Sequence, residues 1–183
     1  MFITDEVNDQ GLYALSMYKS GVKLDIVLDD FIVCKYSKPC FTKAKGNELW
    51  VLLAEKAWAK IHGSFHRIVS GWAHETMRDL TGAPAFSLKV SKEPDMWEKI
   101  VEADEKDYMI AASCGNRAEE LEKSAARELG LITAHSYSLV RATSVELDGE
   151  THNLVQLRNP WGGTEWNGKW SDSSDVWTPE LKE

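Results

Sequence analysis

The sequence predicts an α+β fold, because two hairpin patterns are separated by segments with helical spacing. Residues 12–18 and 22–29 alternate apolar with polar side chains around a Lys-Ser-Gly turn, as antiparallel strands do. An Asp-Gly pair joins the β-rich runs 134–147 and 152–158 and indicates a second hairpin. Between the hairpins, apolar residues recur at helical spacing and glycines follow the periodic stretches.

The clearest helix lies in the first half of the chain. Asn47 is a favourable N-cap, Glu48 suits the first turn, and Gly63 is expected to end the helix. Its predicted buried stripe consists of Leu49, Leu52, Leu53, Ala57 and Ile61. A short helix is predicted over residues 73–80. The Thr-Gly-Ala-Pro sequence at 81–84 breaks both helix and strand, so it marks the expected boundary between two parts of the chain.

After this boundary the pattern alternates between strand and helix. It predicts a strand over 85–90, a helix from about Pro94 to about Asp104, and a short buried strand over 108–114. Residues 117–129 have a strongly helical composition and stop at a glycine. The tail after Asn159 is rich in glycine and tryptophan and is expected to be loop.

Composition excludes several classes of function. The 183 residues carry a net charge of −8 without a run of like charges, which argues against nucleic acid and anionic membranes as partners. The first ten residues have neither the basic nor the apolar region of a signal peptide, and no apolar run approaches a membrane span. Three scattered cysteines suit a reducing compartment. We therefore expect a soluble, cytoplasmic protein.

Two short motifs carry the chemistry. An Ala-His-Ser-Tyr sequence contains His135, and an Arg-Asn-Pro-Trp-Gly sequence 24 residues later contains Asn159 and Trp161. In a thiol protease an imidazole takes the proton of a cysteine, an amide fixes the tautomer of the ring, and a tryptophan keeps water from their hydrogen bond. These residues have the right types in the right order. The alternatives are a hydrogen-bonded core histidine, a turn asparagine before proline, and ordinary core packing of the tryptophan.

The second hairpin tests whether the two motifs can meet. Regular pairing about a two-residue turn sets Asn159 opposite Ser138, three residues from His135. An offset of three residues is roughly 10 Å along a strand. Because three is an odd number of residues, the two side chains would point to opposite faces of the sheet. The motifs therefore predict an irregular residue between His135 and Leu147, or a turn wider than two residues.

None of the cysteines has the setting of a nucleophile, which would open a helix in a Cys-Trp context. Cys114 lies in an apolar strand, where cysteine is mostly a small hydrophobe, and Cys34 and Cys40 flank a predicted loop. The remaining histidines are expected on the surface with no metal-ligand spacing; they are His62, His66, His74 and His152.

Several stretches resemble the catalytic region of the calpains, the calcium-dependent branch of the papain-like cysteine proteases. They are Gly-Asn-Glu-Leu-Trp through Ala-Lys at 46–60, Asp-Leu-Thr-Gly at 79–82, Gly-Leu-Ile-Thr-Ala-His-Ser-Tyr-Ser at 130–138, Arg-Asn-Pro-Trp-Gly at 158–162 and Glu-Trp-Asn-Gly-Lys-Trp-Ser-Asp at 165–172. The likeness covers nearly the whole chain and is weakest over 92–128. Together these motifs are highly specific.

The resemblance implies an incomplete papain-like fold. Residues 1–82 would be the rear part of the first, Cys-bearing helical subdomain. Residues 83–183 would be most of the second, antiparallel β-rich subdomain, truncated at its C-terminus, and the active site would lie in the cleft between them. The Gln…Gly-x-Cys-Trp segment of the family has no match in the chain. We therefore expect either a fragment or a gene product that has lost its nucleophile.

The resemblance also implies a function, that of a calpain-like, calcium-dependent cysteine endopeptidase acting on protein or peptide substrates. His135 would be the catalytic base and Asn159 its orienter. Trp161 would shield their bond and block the cleft until calcium realigns the two halves. The missing subdomain and regulatory domains would be further partners. The chain alone is expected to be inactive, and the alternative is a non-catalytic pseudoprotease module that binds a peptide or a protein partner.

The family's calcium-binding carboxylates would fall on Glu48, Glu165 and Asp172. Carboxylates suit calcium, which takes six to eight oxygen ligands. Each site would be partial here, because its other ligands lie outside the chain. The alternatives are a first-turn acid for Glu48 and solvated loop positions for the other two.

Overall fold

Two compact units make up the chain, Met1–Ser87 and Leu88–Glu183. The computed structural model describes residues 1–4, 6–114 and 120–182. Helices and antiparallel sheets occur together, which confirms the α+β class. No helix in the described ranges is both long and apolar enough to cross a bilayer.

The first unit combines a hairpin with two helices. Its elements are β1 (Leu12–Lys19), β2 (Val22–Asp29), β3 (Cys34–Lys35), β4 (Lys38–Pro39), α1 (Trp50–His62) and α2 (Ala73–Thr81). The predicted hairpin is confirmed: β1 and β2 pair antiparallel without interruption from Leu12↔Asp29 to Lys19↔Val22. One side of β1 and β2 packs against α1 to form the core, whose buried members are Tyr13, Leu15, Met17, Ile26, Leu28, Leu53 and Ala57.

The predicted C-terminal end of α1 is confirmed, but its predicted N-terminal end is wrong. Gly63 ends the helix as predicted, with a left-handed φ of 93° and its N–H donated to the Lys60 carbonyl. The predicted N-cap at Asn47 is wrong, because a turn occupies residues 46–47 and the helix begins at Trp50, after Leu49. Glu48 therefore precedes the helix and does not lie in its first turn. The predicted loop around the first two cysteines also contains the short β3–β4 ladder.

A buried carboxylate ties three elements of this unit together. The side chain of Asp79 in α2 is 2% exposed and lies 3.2 Å from Lys19 Nζ at the end of β1. It also lies 3.5 Å from His62 Nε2 at the end of α1 and 3.2 Å from Arg78 Nε. His62, predicted at the surface, is partly covered: its side chain is 24% exposed, and its ring packs on Trp58, with centroids 4.3 Å apart.

We expect Asp79→Ala to destabilise the chain by about 3 kcal/mol, the lower end for breaking a buried ion pair, because the cationic partners can return partly to water. The thermal midpoint in circular dichroism should fall by about 6–12 °C. Asp9→Ala, at an exposed position, is the matched control. Equal midpoints for the two variants would contradict the assigned role of the buried carboxylate.

The described residues of the second unit form one three-stranded sheet and two α-helices. Its elements are α3 (Met96–Glu105), β5 (Ile110–Ser113), α4 (Glu120–Glu128), β6 (Ser136–Leu147) and β7 (Glu150–Arg158). The sheet order is β5-β6-β7, and both pairs are antiparallel. The second hairpin, the helix before β5 and the helix after it are thereby confirmed, although residues 117–119 of the predicted fourth helix lie outside the described residues.

Two predictions in this region need correction. The predicted strand over 85–90 is wrong: within the described residues this segment has no ladder partner, and Phe86 and Val90 are 79% and 76% exposed. A 3₁₀ turn begins at Val90 instead. The strand predicted over 108–114 exists from Ile110 to Ser113, but it is half-buried, since an edge strand has a neighbour on one side only.

Candidate active site

A β-bulge interrupts the hairpin formed by β6 and β7. Pairing is regular from Leu147↔Glu150 to Arg141↔Gln156, with a two-residue turn at Asp148-Gly149. The register then shifts between Leu139 and Arg141, so that Val140 has no partner in β7. The irregular residue predicted between His135 and Leu147 is therefore confirmed.

The bulge changes which residues face each other beyond the strand ends. Ser138 pairs with Arg158 after the shift, so the same register continued by one step sets Asn159 opposite Tyr137. His135 is then two residues from that position, and an even offset puts it on the same face as Asn159. Such diagonal neighbours lie within reach of long side chains. His135 Nε2 lies 2.9 Å from Asn159 Oδ1.

The backbone before β6 holds His135 firmly. Ala134 adopts the left-handed conformation, with φ of 56°, and donates its N–H to the Cys114 carbonyl at 3.2 Å. An alanine in this conformation is under strain, a condition that clusters at functional sites. The hydroxyl of Tyr137 accepts the N–H of Ile132 at 2.9 Å, and its ring meets His135 edge-on at 4.9 Å. His135 itself is 8% exposed.

The carboxamide of Asn159 has only one orientation that satisfies its neighbours. Its oxygen lies 3.0 Å from the backbone N–H of Trp161, which can only donate, and its nitrogen lies 3.1 Å from the carbonyl oxygen of Thr164, which can only accept. The oxygen therefore faces His135, and Nε2 of that ring must carry a hydrogen to donate to it. The lone pair of the neutral ring is then on Nδ1, which is free to accept a proton.

Trp161 covers one side of this pair. Its ring centroid is 4.3 Å from that of His135, at an interplanar angle of 47°. The side chain is nevertheless 71% exposed. Ordinary core packing does not describe so exposed a ring, whereas a cover over the imidazole does.

No cysteine thiol is hydrogen-bonded to the imidazole in the part of the chain that the structure describes. Cys114 follows β5, and continuing the β5–β6 register sets it opposite His135. Its thiol is half-buried, whereas Cys34 and Cys40 are exposed in the other unit. The Nδ1 lone pair thus has no thiol partner among the described residues.

The carboxylates predicted to be partial calcium ligands lie at the surface. Glu48, Glu165 and Asp172 are all exposed. Across residues 1–4, 6–114 and 120–182, no group of three or more His, Cys, Asp or Glu side chains is placed to hold a metal ion. The described residues therefore do not form a complete calcium site by themselves.

Two residues that contact the His–Asn pair were not singled out from the sequence. Tyr137 lies two residues after His135, so the alternation of β6 places both on one face and could have identified it. Thr164 contacts Asn159 Nδ2 chiefly through its carbonyl oxygen, at 3.1 Å, and every residue type has that group. Its hydroxyl is farther away, at 3.4 Å, so the residue type gives little signal.

We expect Tyr137→Phe to expose the segment before His135 to solvent. The change leaves the partly buried Ile132 N–H without its 2.9 Å acceptor, a loss of about 1 kcal/mol, the lower end for an unsatisfied group. Hydrogen exchange of the Ile132 amide should accelerate. Tyr108→Phe, at a residue that is 63% exposed, is the control. Unchanged exchange at Ile132 would show that the phenol does not hold this segment.

Comparison with known proteins identifies the family of this chain. The sequence profile described as "Calpain family cysteine protease" matches residues 2–183. The calpain-type cysteine protease DEK1 of Zea mays is 34% identical over 194 residues, which cover 100% of this chain and 9% of that protein. The calpain-1 catalytic subunit of Mus musculus is 35% identical over 169 residues, covering 91% of this chain and 24% of that protein.

The chain thus spans 9% and 24% of the length of these two relatives. The profile match runs from the second residue to the last and includes both motifs that form the His–Asn pair. The chain therefore belongs to the calpain family of cysteine proteases.

Proposed function

We propose that this chain supplies the general base and its orienting amide to a calpain-like cysteine endopeptidase. The observation that carries the proposal is the 2.9 Å contact between His135 Nε2 and Asn159 Oδ1, within a carboxamide whose two ends have fixed partners. This contact leaves Nδ1 of a nearly buried ring as the proton acceptor, which is what a cysteine nucleophile requires.

The reaction would proceed in two halves. A cysteine thiol gives its proton to His135 Nδ1, and the thiolate attacks the carbonyl carbon of a peptide bond. The C–N bond breaks when the imidazolium returns that proton to the departing amine, which leaves a thioester. Water then gives a proton to the imidazole as it attacks the thioester, which releases the acid and restores the thiol. Asn159 keeps Nε2 protonated, and Trp161 limits the access of water to that hydrogen bond.

The resemblance to this family supports a division of the chain into two subdomains. Residues 1–82 would be the rear part of the Cys-bearing subdomain, and residues 83–183 would be most of the papain-like, β-rich subdomain. Glu48, Glu165 and Asp172 would each contribute a partial share of a calcium site. Three free cysteines and a thiolate mechanism fit the reducing cytoplasm.

The tautomer of His135 tests the proposed base directly. Long-range ¹H–¹⁵N spectra of the chain at neutral pH should give one imidazole that is protonated at Nε2 alone. Asn159→Ala should turn this signal into that of a mixed-tautomer ring. An Nδ1-protonated His135 in the unaltered chain would contradict the proposal.

We further propose that the chain alone does not hydrolyse protein, because none of its thiols is hydrogen-bonded to Nδ1 of His135 among the described residues. Casein digestion with and without calcium should give no products. Calcium-dependent cleavage that a thiol reagent blocks would refute the proposed inactivity, and Cys114→Ser would then test the nearest thiol in the sheet. A chimera with a Gly-x-Cys-Trp segment of a calpain joined ahead of this chain should gain activity.

A second candidate is a non-catalytic module that binds a peptide or protein partner. It is favoured by exposed apolar side chains: Trp161, whose ring contacts His135, is 71% exposed, and Val155 and Leu157, four and two residues before Asn159 in the sequence, are 42% and 36% exposed. The transcript upstream of the Met1 codon distinguishes the candidates. An in-frame Gly-x-Cys-Trp segment supports the protease, whereas an untranslated region with its own stop codon supports the binding module.

A further inference from the structure

The segment from Thr164 to Gly168 fixes the nitrogen end of the Asn159 carboxamide. Asn159 Nδ2 donates to the Thr164 carbonyl at 3.1 Å, and the Thr164 hydroxyl lies 3.4 Å from the same nitrogen. This segment lies beyond β7 and outside the sheet, and Thr164 is exposed. The orientation of the carboxamide therefore depends on whatever holds an exposed segment in place.

Asn167 attaches this segment to the end of α4. Its backbone N–H donates to the Leu129 carbonyl at 3.1 Å, and its side-chain Nδ2 donates to the Glu128 carbonyl at 2.8 Å. The last carbonyls of a helix have no donor within the helix and need one from outside.

The two bonds from Asn167 complete the end of the helix. The carbonyls of Ala125, Ala126 and Arg127 accept N–H groups from Leu129, Leu131 and Gly130. With Asn167 added, every carbonyl from residue 125 to residue 129 has a donor. The two bonds from Asn167 thus go to the last two carbonyls of this series, those of Glu128 and Leu129.

Gly130 brings the same segment into backbone contact with the residue after α4. Its φ is +80°, and a Cβ at this position would lie 1.8 Å from the carbonyl oxygen of Glu165. Only glycine allows this approach. The segment is also tightly packed within itself, because Trp166 Nε1 donates to the Lys169 carbonyl at 2.8 Å and a Cβ on Gly168 would lie 2.4 Å from the Trp166 ring.

We propose that Asn167 and Gly130 are positioning residues for the His–Asn pair. They clamp residues 164–168 onto the end of α4, and the clamp holds the Thr164 carbonyl where it orients the Asn159 carboxamide. The carboxamide then selects the tautomer of His135. The catalytic meaning of this clamp rests on the proposed function, but the clamp can be tested on the chain itself without any measurement of activity.

The test uses Asn167→Asp in the full chain. The substitution keeps the size of the side chain but replaces the Nδ2 donor with an oxygen that faces the Glu128 carbonyl and the negative end of a helix. Asn153→Asp is the matched control, because Asn153 is an exposed asparagine on β7 whose oxygen faces Ser144 Oγ at 2.8 Å. The measurements are the ¹⁵N shifts of the His135 ring and the shifts of the Asn159 side-chain amide.

In Asn167→Asp, the ¹⁵N shifts of the His135 ring should change from those of a ring protonated at Nε2 alone to those of a mixture of tautomers. The chemical shifts of the Asn159 side-chain amide should change as well. The control should leave both sets of shifts unchanged. Gly130→Ala should have the same effect by displacing the Glu165 carbonyl. If Gly130→Ala does not fold, Asn167→Asp still tests the positioning role, because Asn167 is exposed. If the chemical shifts of Glu128 and Leu129 change while those of Asn159 and His135 do not, the proposed positioning role is overturned.

These outcomes separate the clamp from the proposed function. If His135 of the unaltered chain is protonated at Nε2 but Asn167→Asp leaves it so, the clamp alone is wrong. If His135 of the unaltered chain is not protonated at Nε2, the proposed base is wrong and the clamp has no tautomer to select.

Discussion

His135→Ala should abolish peptide hydrolysis in the chimera that joins a calpain Gly-x-Cys-Trp segment to this chain. The substitution removes the only proton acceptor that the His–Asn pair offers to a thiol, so the cysteine stays protonated and a poor nucleophile. Loss of the base from the triad of another protease costs roughly 10⁶-fold in kcat, and a comparable loss is expected here. Cleavage of a fluorogenic peptide measures the effect.

His66→Ala is the control for this variant, because His66 is an exposed histidine of the first unit. Its activity should equal that of the unaltered chimera. A chimera that retains more than a small fraction of its activity without His135 would remove this residue from the mechanism.

Asn159→Ala should lower kcat in the same chimera by about 10²–10⁴-fold and leave KM nearly unchanged. The ring loses the acceptor 2.9 Å from Nε2, so its hydrogen can move to Nδ1, where it blocks uptake of the thiol proton. A substitution that imposes the wrong tautomer in a serine protease triad costs about 10⁴-fold, which sets the upper end of this range.

Asn153→Ala provides the comparison for the second variant, since it removes an exposed carboxamide from the same strand. It should keep its kcat. Equal kcat values for the two asparagine variants would mean that Asn159 does not orient the base, whatever its distance from His135.

The hairpin of the second unit could be predicted from the sequence in unusual detail. An Asp-Gly turn fixes a two-residue connection, and the motifs at its two ends have to meet for the chemistry to work. Regular pairing gives an odd offset, so the motifs predict either an irregular residue in a strand or a turn wider than two residues. Val140 is that residue. The chemistry thus constrains the register more tightly than strand propensity does.

Other features depend on tertiary contacts that leave no local signal. Asn47 has the residue type of a helix N-cap, yet the turn around Gly46 delays the helix to Trp50. Residues 85–90 have strand-like residue types, but no neighbouring strand completes a ladder among the described residues. Thr164 holds Asn159 through a backbone carbonyl, and Asn167 reaches a helix that ends 39 residues earlier. The spacing of side chains along the sequence does not reveal contacts with backbone acceptors or with distant helix ends.

The packing of Gly168 has a chemical consequence for stored protein. An asparagine followed by glycine deamidates readily, because the glycine nitrogen can attack the side-chain carbonyl, expel ammonia and form a ring that water opens to a carboxylate. A bulkier residue in place of Gly168 would have to displace the Trp166 ring, since a Cβ there would lie 2.4 Å from that ring. The nitrogen that would leave is the one that donates to Glu128. Deamidation of Asn167 in an aged sample should therefore weaken the attachment of residues 164–168 to α4. Mass spectrometry of the tryptic peptides would record the change.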